Sequence, residues 1–404
     1  MSRIYLRAAP FAEPSSSALA QKTTGRAVVQ VLTAYAAPTG RRMVQDYCEL
    51  ESFDLFAASF RRFSEDNGAT WSSPQPIFAP EPLPDGGVKR QGESALFLSE
   101  GTGSLHRFYN FHQKVQQRFG SPAWWHTALC VETSRDGGRT FAPAEVVSAA
   151  RPFEYTPGTP WPEEPSPWVI SFDRPLLRSD GTLLLPVQRA RFLPGDEDGR
   201  LQWEAGLLFG QETSEGRLCW KEGGSISLPL SVSVRGIFEP AVAELPDGRL
   251  MMVCRGSNGA RADLPAHKWL ALSEDGGTRW TAPRPFTFDD GAPFYSPSSG
   301  STLVRHRDGG LFWIGNLCHE NALGNRPRHP LLFARVDEAA PALQRATLRT
   351  IDERRPGEPE CLQLSNFRVY EDRETGEFVL FMARLEENGP RCLDAPAREY
   401  RFRP

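Results

Sequence analysis

The side chains able to do chemistry in this chain are carboxylates, guanidiniums and amides, and they recur in step with a series of glycine turns. About 8–11 residues before such a turn stand Arg90, Gln91 and Glu93, then Asp173 and Arg174, then Glu239, then Tyr295, Ser296 and Ser299, then Gln363, Ser365 and Asn366. About 6–8 residues after it stand Tyr47, Glu49, Glu51 and Asp54, then Asn110 and His112, Gln188 and Arg189, Arg255, Asn316 and His319, and Arg384. An apolar interior has no use for charge repeated at one phase. Several carboxylates brought together allow one to stay protonated while another is ionised, the pairing that cleaves a glycosidic bond. Arginine forks beside them hold an anionic group. Asp173 and Arg174 read equally well as an ion pair between sheets, and His112 as a satisfied core histidine.

The elements that position these residues are hairpins. Six times an apolar run, a glycine turn and a second apolar run follow one another, as in PAVAELPDGRLMMVCR and FRVYEDRETGEFVLFMAR. The turn glycines are Gly40, Gly103, Gly181, Gly248, Gly310 and Gly376, spaced 62 to 78 residues apart, and they cover the whole chain. Such a pattern is that of β-hairpins. A second motif, Ser-x-Asp-x-Gly-x-x-aromatic, trails the hairpins at Ser64–Trp71, Ser134–Phe141 and Ser273–Trp280, with a worn copy at Ser214–Trp220. Its Asp accepts backbone N–H groups, its Gly supplies positive φ, and its aromatic pins the turn. One such turn per repeat is a structural device rather than an active site.

Two hairpins in each of six repeats give an all-β fold of six four-stranded sheets set radially, a six-bladed β-propeller occupying residues 1–404 as one domain. The chain after Gly376 holds room for about one more strand, near Arg398–Arg403, so residues 3–7 are expected to supply the outer strand that closes the last blade. The Pro-rich stretch 151–167 reads as a surface insertion. In that architecture the polar phase positions gather at one mouth of the central channel, opposite the Asp turns.

Composition narrows the partners. Lys and Arg number 46 against 50 Asp and Glu, a net charge of −4, which is not the balance of a nucleic-acid binder. No run approaches 18 uninterrupted apolar residues, so no membrane-spanning helix is expected. The 7 Cys are scattered without a CxxC pair and the 7 His without an HExxH, so neither a metal nor a cofactor is expected. The lack of an apolar leader and the unpaired cysteines lean toward the cytoplasm, although a processed secreted form would look the same. A carbohydrate is the partner that suits such a mouth, with Trp124, Trp125, Trp161, Trp168 and Trp269 available to stack on sugar rings. The oligomeric state stays open.

The Ser-x-Asp-x-Gly boxes on a period near 67 residues resemble the Asp boxes (BNR repeats) of the sialidase, or neuraminidase, superfamily, and the six-repeat count is similar to its catalytic domain. The segment FEPAVAELPDGRLMMVCR is similar to the one that carries that family's catalytic Glu and, 16 residues later, an arginine of its carboxylate-binding triad. The resemblance implies Glu239 as the central carboxylate and Arg255 as one fork, with Arg328 of NRPR near the place of another. Two family features are missing. The Arg-Ile-Pro motif is absent, with only Lys22 and Arg26 near its place, and the nucleophilic Tyr aligns with Leu364, leaving Tyr295 of the preceding repeat as a stand-in. The implied activity is a sialidase-like glycoside hydrolase, exo-acting on a terminal acidic sugar. Asp173, Glu93 or one of Glu49, Glu51 and Asp54 would be the general acid, with Arg255, Arg328 and Arg174 orienting the ligand. The alternative is a glycan-binding or scaffold propeller that has lost catalysis.

Overall fold

A computed structural model describes residues 26–83, 88–118, 121–149, 166–192, 201–215, 217–259 and 261–404. The expected closing strand at 3–7 lies outside the described residues, as does all of the Pro-rich insertion but its last two residues.

Among the described residues six antiparallel sheets follow one another along the chain. The first is β1 (Ala27–Tyr35), β2 (Met43–Ser52), β3 (Leu55–Ser64) and β4 (Gln75–Phe78). The second is β5 (Glu81–Pro82), β6 (Val88–Leu98), β7 (Leu105–Arg118), β8 (Ser121–Ser134) and β9 (Glu145–Ala149). The third is β10 (Leu176–Leu177), β11 (Leu183–Phe192), β12 (Leu201–Glu212) and β13 (Leu218–Ser227). The fourth is β14 (Phe238–Glu244), β15 (Leu250–Arg255), β16 (Lys268–Ser273) and β17 (Arg284–Pro285). The fifth is β18 (Thr302–Arg305), β19 (Leu311–Asn316), β20 (Leu331–Asp337), β21 (Ala342–Leu343) and β22 (Arg349–Asp352). The sixth is β23 (Phe367–Glu371), β24 (Phe378–Ala383) and β25 (Ala397–Phe402), three strands among the described residues. The chain divides into two compact units, Leu32–Gly223 and Met1–Val31 with Gly224–Pro404.

Local sequence explains the strands. β15 (LMMVCR), β19 (LFWIGN) and β24 (FVLFMA) are buried at every residue, so they read as continuous apolar runs rather than alternating ones, with Arg255 and Asn316 at the polar ends of the first two. The hairpin glycines do what the spacing predicts at Gly40, Gly103, Gly181, Gly248 and Gly376, all at positive φ. At the fifth hairpin it is Gly309, at φ 90°, and not Gly310 that takes the left-handed turn position.

Each unit has its own core. In the first-named unit, Phe108, Leu129, Trp168, Ile170, Leu185 and Leu208 join the second and third sheets. In the other, Trp313 is fully buried between Phe286 and Phe294, at ring-centroid distances of 6.4 and 5.8 Å, and joins the fourth sheet to the fifth. Losing that indole leaves a cavity, so Trp313→Ala is expected to cost about 3–5 kcal/mol in urea unfolding.

The Asp boxes are turn-closing devices. Asp66 Oδ1 accepts from Ser64 Oγ and the Thr70 N–H, both at 2.8 Å, while Ser64 Oγ accepts the Gly68 N–H at 2.8 Å. Asp136 and Asp275 repeat the arrangement with Thr140 and Arg279. Hydrogen bonding from Thr70 holds the Asp66 carboxyl down at about 2, and bonding from Arg279 does the same for Asp275. A depressed folded-state value stabilises above the ordinary carboxylate range and is lost as pH falls toward 2. Replacing Asp66 or Asp275 with Ala should therefore lower the melting temperature at pH 7, and the deficit should shrink from pH 4 downward as pH falls through about 2.

Candidate functional site

The fourth sheet breaks its own regularity at Glu239. Phe238 pairs with Arg255, and the ladder resumes only at Ala241 with Val253, so a bulge falls on Glu239. Glu239 takes φ 49°, a left-handed conformation unusual for a residue with a side chain. Bulges of this kind re-aim a side chain at the end of a strand. Here the carboxylate meets the guanidinium of Arg255, whose Nη1 donates to Glu239 Oε1 at 2.5 Å. The Arg255 guanidinium also lies over the Phe238 ring, 4.6 Å from its centroid.

Arg255 and Arg328 are fastened to the same two residues. Arg255 Nε donates to Ser298 Oγ at 2.8 Å and its Nη2 to Asn325 Oδ1 at 3.1 Å. Arg328 Nη2 donates to the Ser298 carbonyl and its Nε to the Asn325 carbonyl, both at 3.1 Å. The remaining nitrogen, Arg328 Nη1, reaches Gln363 Oε1 at 2.9 Å and Ser365 Oγ at 3.3 Å. Two cations are thereby held by shared acceptors, with Asn325 exposed to solvent beside them.

Behind Gln363 stands Glu386, 1% exposed, which accepts from Gln363 Nε2 at 2.7 Å, Arg326 at 2.8 Å and the Arg391 N–H at 2.7 Å. These hydrogen bonds outweigh burial and hold its carboxyl below the usual range, so Glu386 is an ionised anchor and not a proton donor. Asn316 is fully buried and braces the same corner: its amide donates to the carbonyls of Pro330 and Leu364 at 3.1 and 3.0 Å, while the Leu364 N–H donates to the Arg328 carbonyl at 2.8 Å. Asn366 is half-buried one residue beyond Ser365. Tyr295 is 36% exposed and stacks on His267, centroids 6.0 Å apart and planes within 6°. Burial lowers the His267 value, which keeps that imidazole neutral at pH 7.

Glu239, Arg255, Arg328, Gln363, Asn316 and Tyr295 of the sequence-derived set thus lie in one unit, the first four linked by a continuous series of hydrogen bonds. Asn366 and Arg384 lie in that unit too, whereas Arg90, Glu93, Asn110, His112, Asp173, Arg174 and Gln188 lie in the Leu32–Gly223 unit. Asn110 is buried, donates to Glu93 at 3.2 Å and the Ile170 carbonyl at 2.8 Å, and accepts the Ile170 N–H at 3.1 Å. It therefore ties the second sheet to the third. His112 bonds Thr127 at 3.2 Å and packs against Gly92, where a Cβ would come within 2.5 Å of its ring. Burial pushes its value down to about 4, the behaviour of a neutral core histidine. Arg90 is committed to Glu51 at 2.6 Å and the Phe56 carbonyl at 2.9 Å. Asp173 is buried and Arg174 exposed, and the backbone of Gln188 bridges Val169. Arg384 is fully buried on Asp352, Glu358 and Glu387.

Sequence reasoning missed Ser298, Asn325, Lys268 and Glu386 as parts of the constellation. Lys268 carried a signal, a cation inside the apolar run KWLALS. The others are loop residues with no periodic mark. Among the described residues, no three His, Cys, Asp or Glu side chains gather in a way that could hold a metal ion.

A family model described as a BNR repeat-like domain matches residues 59–355, most of the chain. The chain belongs to the BNR repeat-like domain family. Its fold is the six-bladed β-propeller of the sialidases. It aligns with the NanB sialidase of Streptococcus pneumoniae at 12% identity over 97% of this chain and 70% of that one, with a TM-score of 0.60. The Penicillium chrysogenum α-L-arabinanase complexed with arabinobiose aligns at 13% identity over 96% of both chains, with a TM-score of 0.54. The Hadza microbial sialidase Hz136 aligns at 15% identity and a TM-score of 0.53 over 93% of this chain, which spans 65% of that one's length. The fold is therefore one shared by several glycoside hydrolases. No curated protein sequence matches the chain.

Glu386 is buried with three donors, and removing it strands the Arg391 N–H and loosens Arg326 and Gln363. Glu386→Ala should lose about 2 kcal/mol or more in urea unfolding, whereas Glu386→Gln should recover part of it.

Proposed function

We propose that this member of the BNR repeat-like domain family is a sialidase-like glycoside hydrolase whose site receives a terminal sugar carrying a carboxylate. The observation behind the reading is the pair of guanidiniums, Arg255 and Arg328, fixed by common acceptors with the Glu239 carboxylate against one of them. Two planar forks held in place suit a carboxylate better than a neutral sugar, because each guanidinium offers paired donors at a fixed spacing. The preset geometry also spares the ligand the entropy of ordering two long side chains. Glu239 is the central carboxylate, aimed by a strained bulge at the Arg255 guanidinium, for which a ligand anion would compete. Tyr295, half-open and set on the neutral His267 ring, offers a face for a sugar and the phenol nearest in kind to the missing nucleophile.

Structures of this fold support a saccharide ligand in general terms: a leech intramolecular trans-sialidase is complexed with 2,7-anhydro-Neu5Ac, and an α-L-arabinofuranosidase of Fusarium graminearum with arabinobiose. One observation favours a second reading, a glycan-binding propeller without turnover. Leu364, aligned with the nucleophilic Tyr of sialidases, is fully buried and has no reactive group.

A panel of chromogenic glycosides comprising a sialoside, a glucuronide and an arabinofuranoside separates the readings. Turnover of an acidic member, reduced at least a hundredfold in Glu239→Gln and Arg328→Met, is the expected result. Binding without turnover across the panel would favour the second reading, and turnover unaffected by Glu239→Gln would remove Glu239 from the mechanism.

A further inference from the structure

Lys268 opens β16 and pairs in register with Arg255, which in turn pairs with Phe238, so one row across three strands ends beside Glu239. Its side chain is fully buried, and among the described residues no carboxylate forms an ion pair with it. The ammonium instead donates to the carbonyl of Ser299 and, at 3.4 Å, to that of Pro297. The carbonyl between them, on Ser298, takes Arg328, and the Ser298 hydroxyl takes Arg255. Three consecutive residues, Pro297 to Ser299, therefore offer acceptors to three cations.

A buried ammonium without a carboxylate is a costly way to satisfy two carbonyls. Its placement supplies something a neutral donor would not: three donors on one atom that gather both ends of a single turn. The turn itself is short, with the Ser299 N–H donating to the Pro297 carbonyl at 2.8 Å, and its far side is tied by the Ser298 N–H to the Gly324 carbonyl at 2.8 Å. Whatever fixes Pro297–Ser299 fixes Ser298, an acceptor that both arginines share.

We propose that Lys268 is a positioning residue, which clamps the Pro297–Ser299 turn and through it holds Arg255 and Arg328 at the spacing that receives a carboxylate. This rests on the anion-site reading above for its ligand and on geometry alone for the clamp. A second consequence concerns protonation. Burial first, and then the Arg255 charge, bring the Lys268 value down to about 7, with Glu239 acting upward and Arg328 downward. The other titratable neighbours are silent near neutrality: burial pushes Cys318 up to about 12, raises Cys254 and keeps His267 neutral. The proton is held below pH 7 and lost above it, so the clamp slackens as pH rises, and an anion seated on the two arginines favours keeping it.

The test has a ligand-free arm and a ligand arm. In crystal structures of Lys268→Met, the Arg255–Ser298 and Arg328–Ser298 contacts are expected to be lost while the fourth sheet stays intact. If both contacts persist, the clamp is wrong, whatever the site binds. In the second arm, glucuronate is titrated by calorimetry from pH 6 to pH 9. Wild type is expected to weaken about tenfold across pH 7 to 8.5, Lys268→Met to bind about tenfold more weakly at pH 6 with no such inflection, and Lys268→Arg to keep the affinity while also losing the inflection. An inflection that survives in both variants would overturn the protonation linkage. Failure of wild type to bind at any pH would count against the anion site and leave the structural arm to decide the clamp.

Discussion

Two guanidiniums side by side repel, and everything at this site depends on how that repulsion is offset. Arg255 and Arg328 share Ser298 and Asn325 as acceptors, Glu239 lies against one of them, and Gln363 leads from the other to the buried carboxylate of Glu386. Screening by water is weak where Arg255 is buried, so each carbonyl and carboxylate counts for more than it would at the surface. The strained backbone at Glu239 is one cost of this arrangement, and the buried Lys268 is another. A lone arginine bound to a lone glutamate would need neither.

The sheets make such a corner possible because they are stiff. Central strands buried at every residue, such as β15 and β19, cannot slide without exposing Met251, Val253 or Trp313. The Asp boxes close turns by local hydrogen bonding that owes nothing to the site. The turns and the corner that holds the two arginines are thus built by different residues. Polar ends of strands and loops can diverge while the boxes stay, which fits a family whose fold relatives include both a sialidase and an arabinanase at 12 to 13% identity.

Much of this was legible in the sequence because it is local. Hairpins announce themselves by glycine between apolar runs, and the Asp boxes by fixed spacing. Five of six turn glycines take the expected left-handed conformation, and the sixth is displaced by one residue because Gly309 and Gly310 are both available. Glu239 and Arg255 were legible for the same reason, as they flank one hairpin. The register also collected residues that serve packing: Asn110 and Asn316 spend their amides on neighbouring carbonyls, His112 sits against Gly92, and Arg384 is enclosed by three carboxylates. Phase along a strand tells which side a residue faces and not whether its hydrogen bonds are already taken. Ser298 and Asn325 escaped because their part is played by loop carbonyls as much as by side chains, and a carbonyl leaves no mark in a sequence.

The central claim is that the arginine pair recognises negative charge on a sugar. Calorimetric titration of glucuronate against its methyl ester, on one wild-type sample at pH 6, tests it most directly, since the ester keeps the sugar ring and removes that charge. The account predicts binding of the acid at least tenfold tighter than of the ester, with an affinity that falls as salt is added. Equal affinity for the two, or tighter binding of the ester, would contradict it.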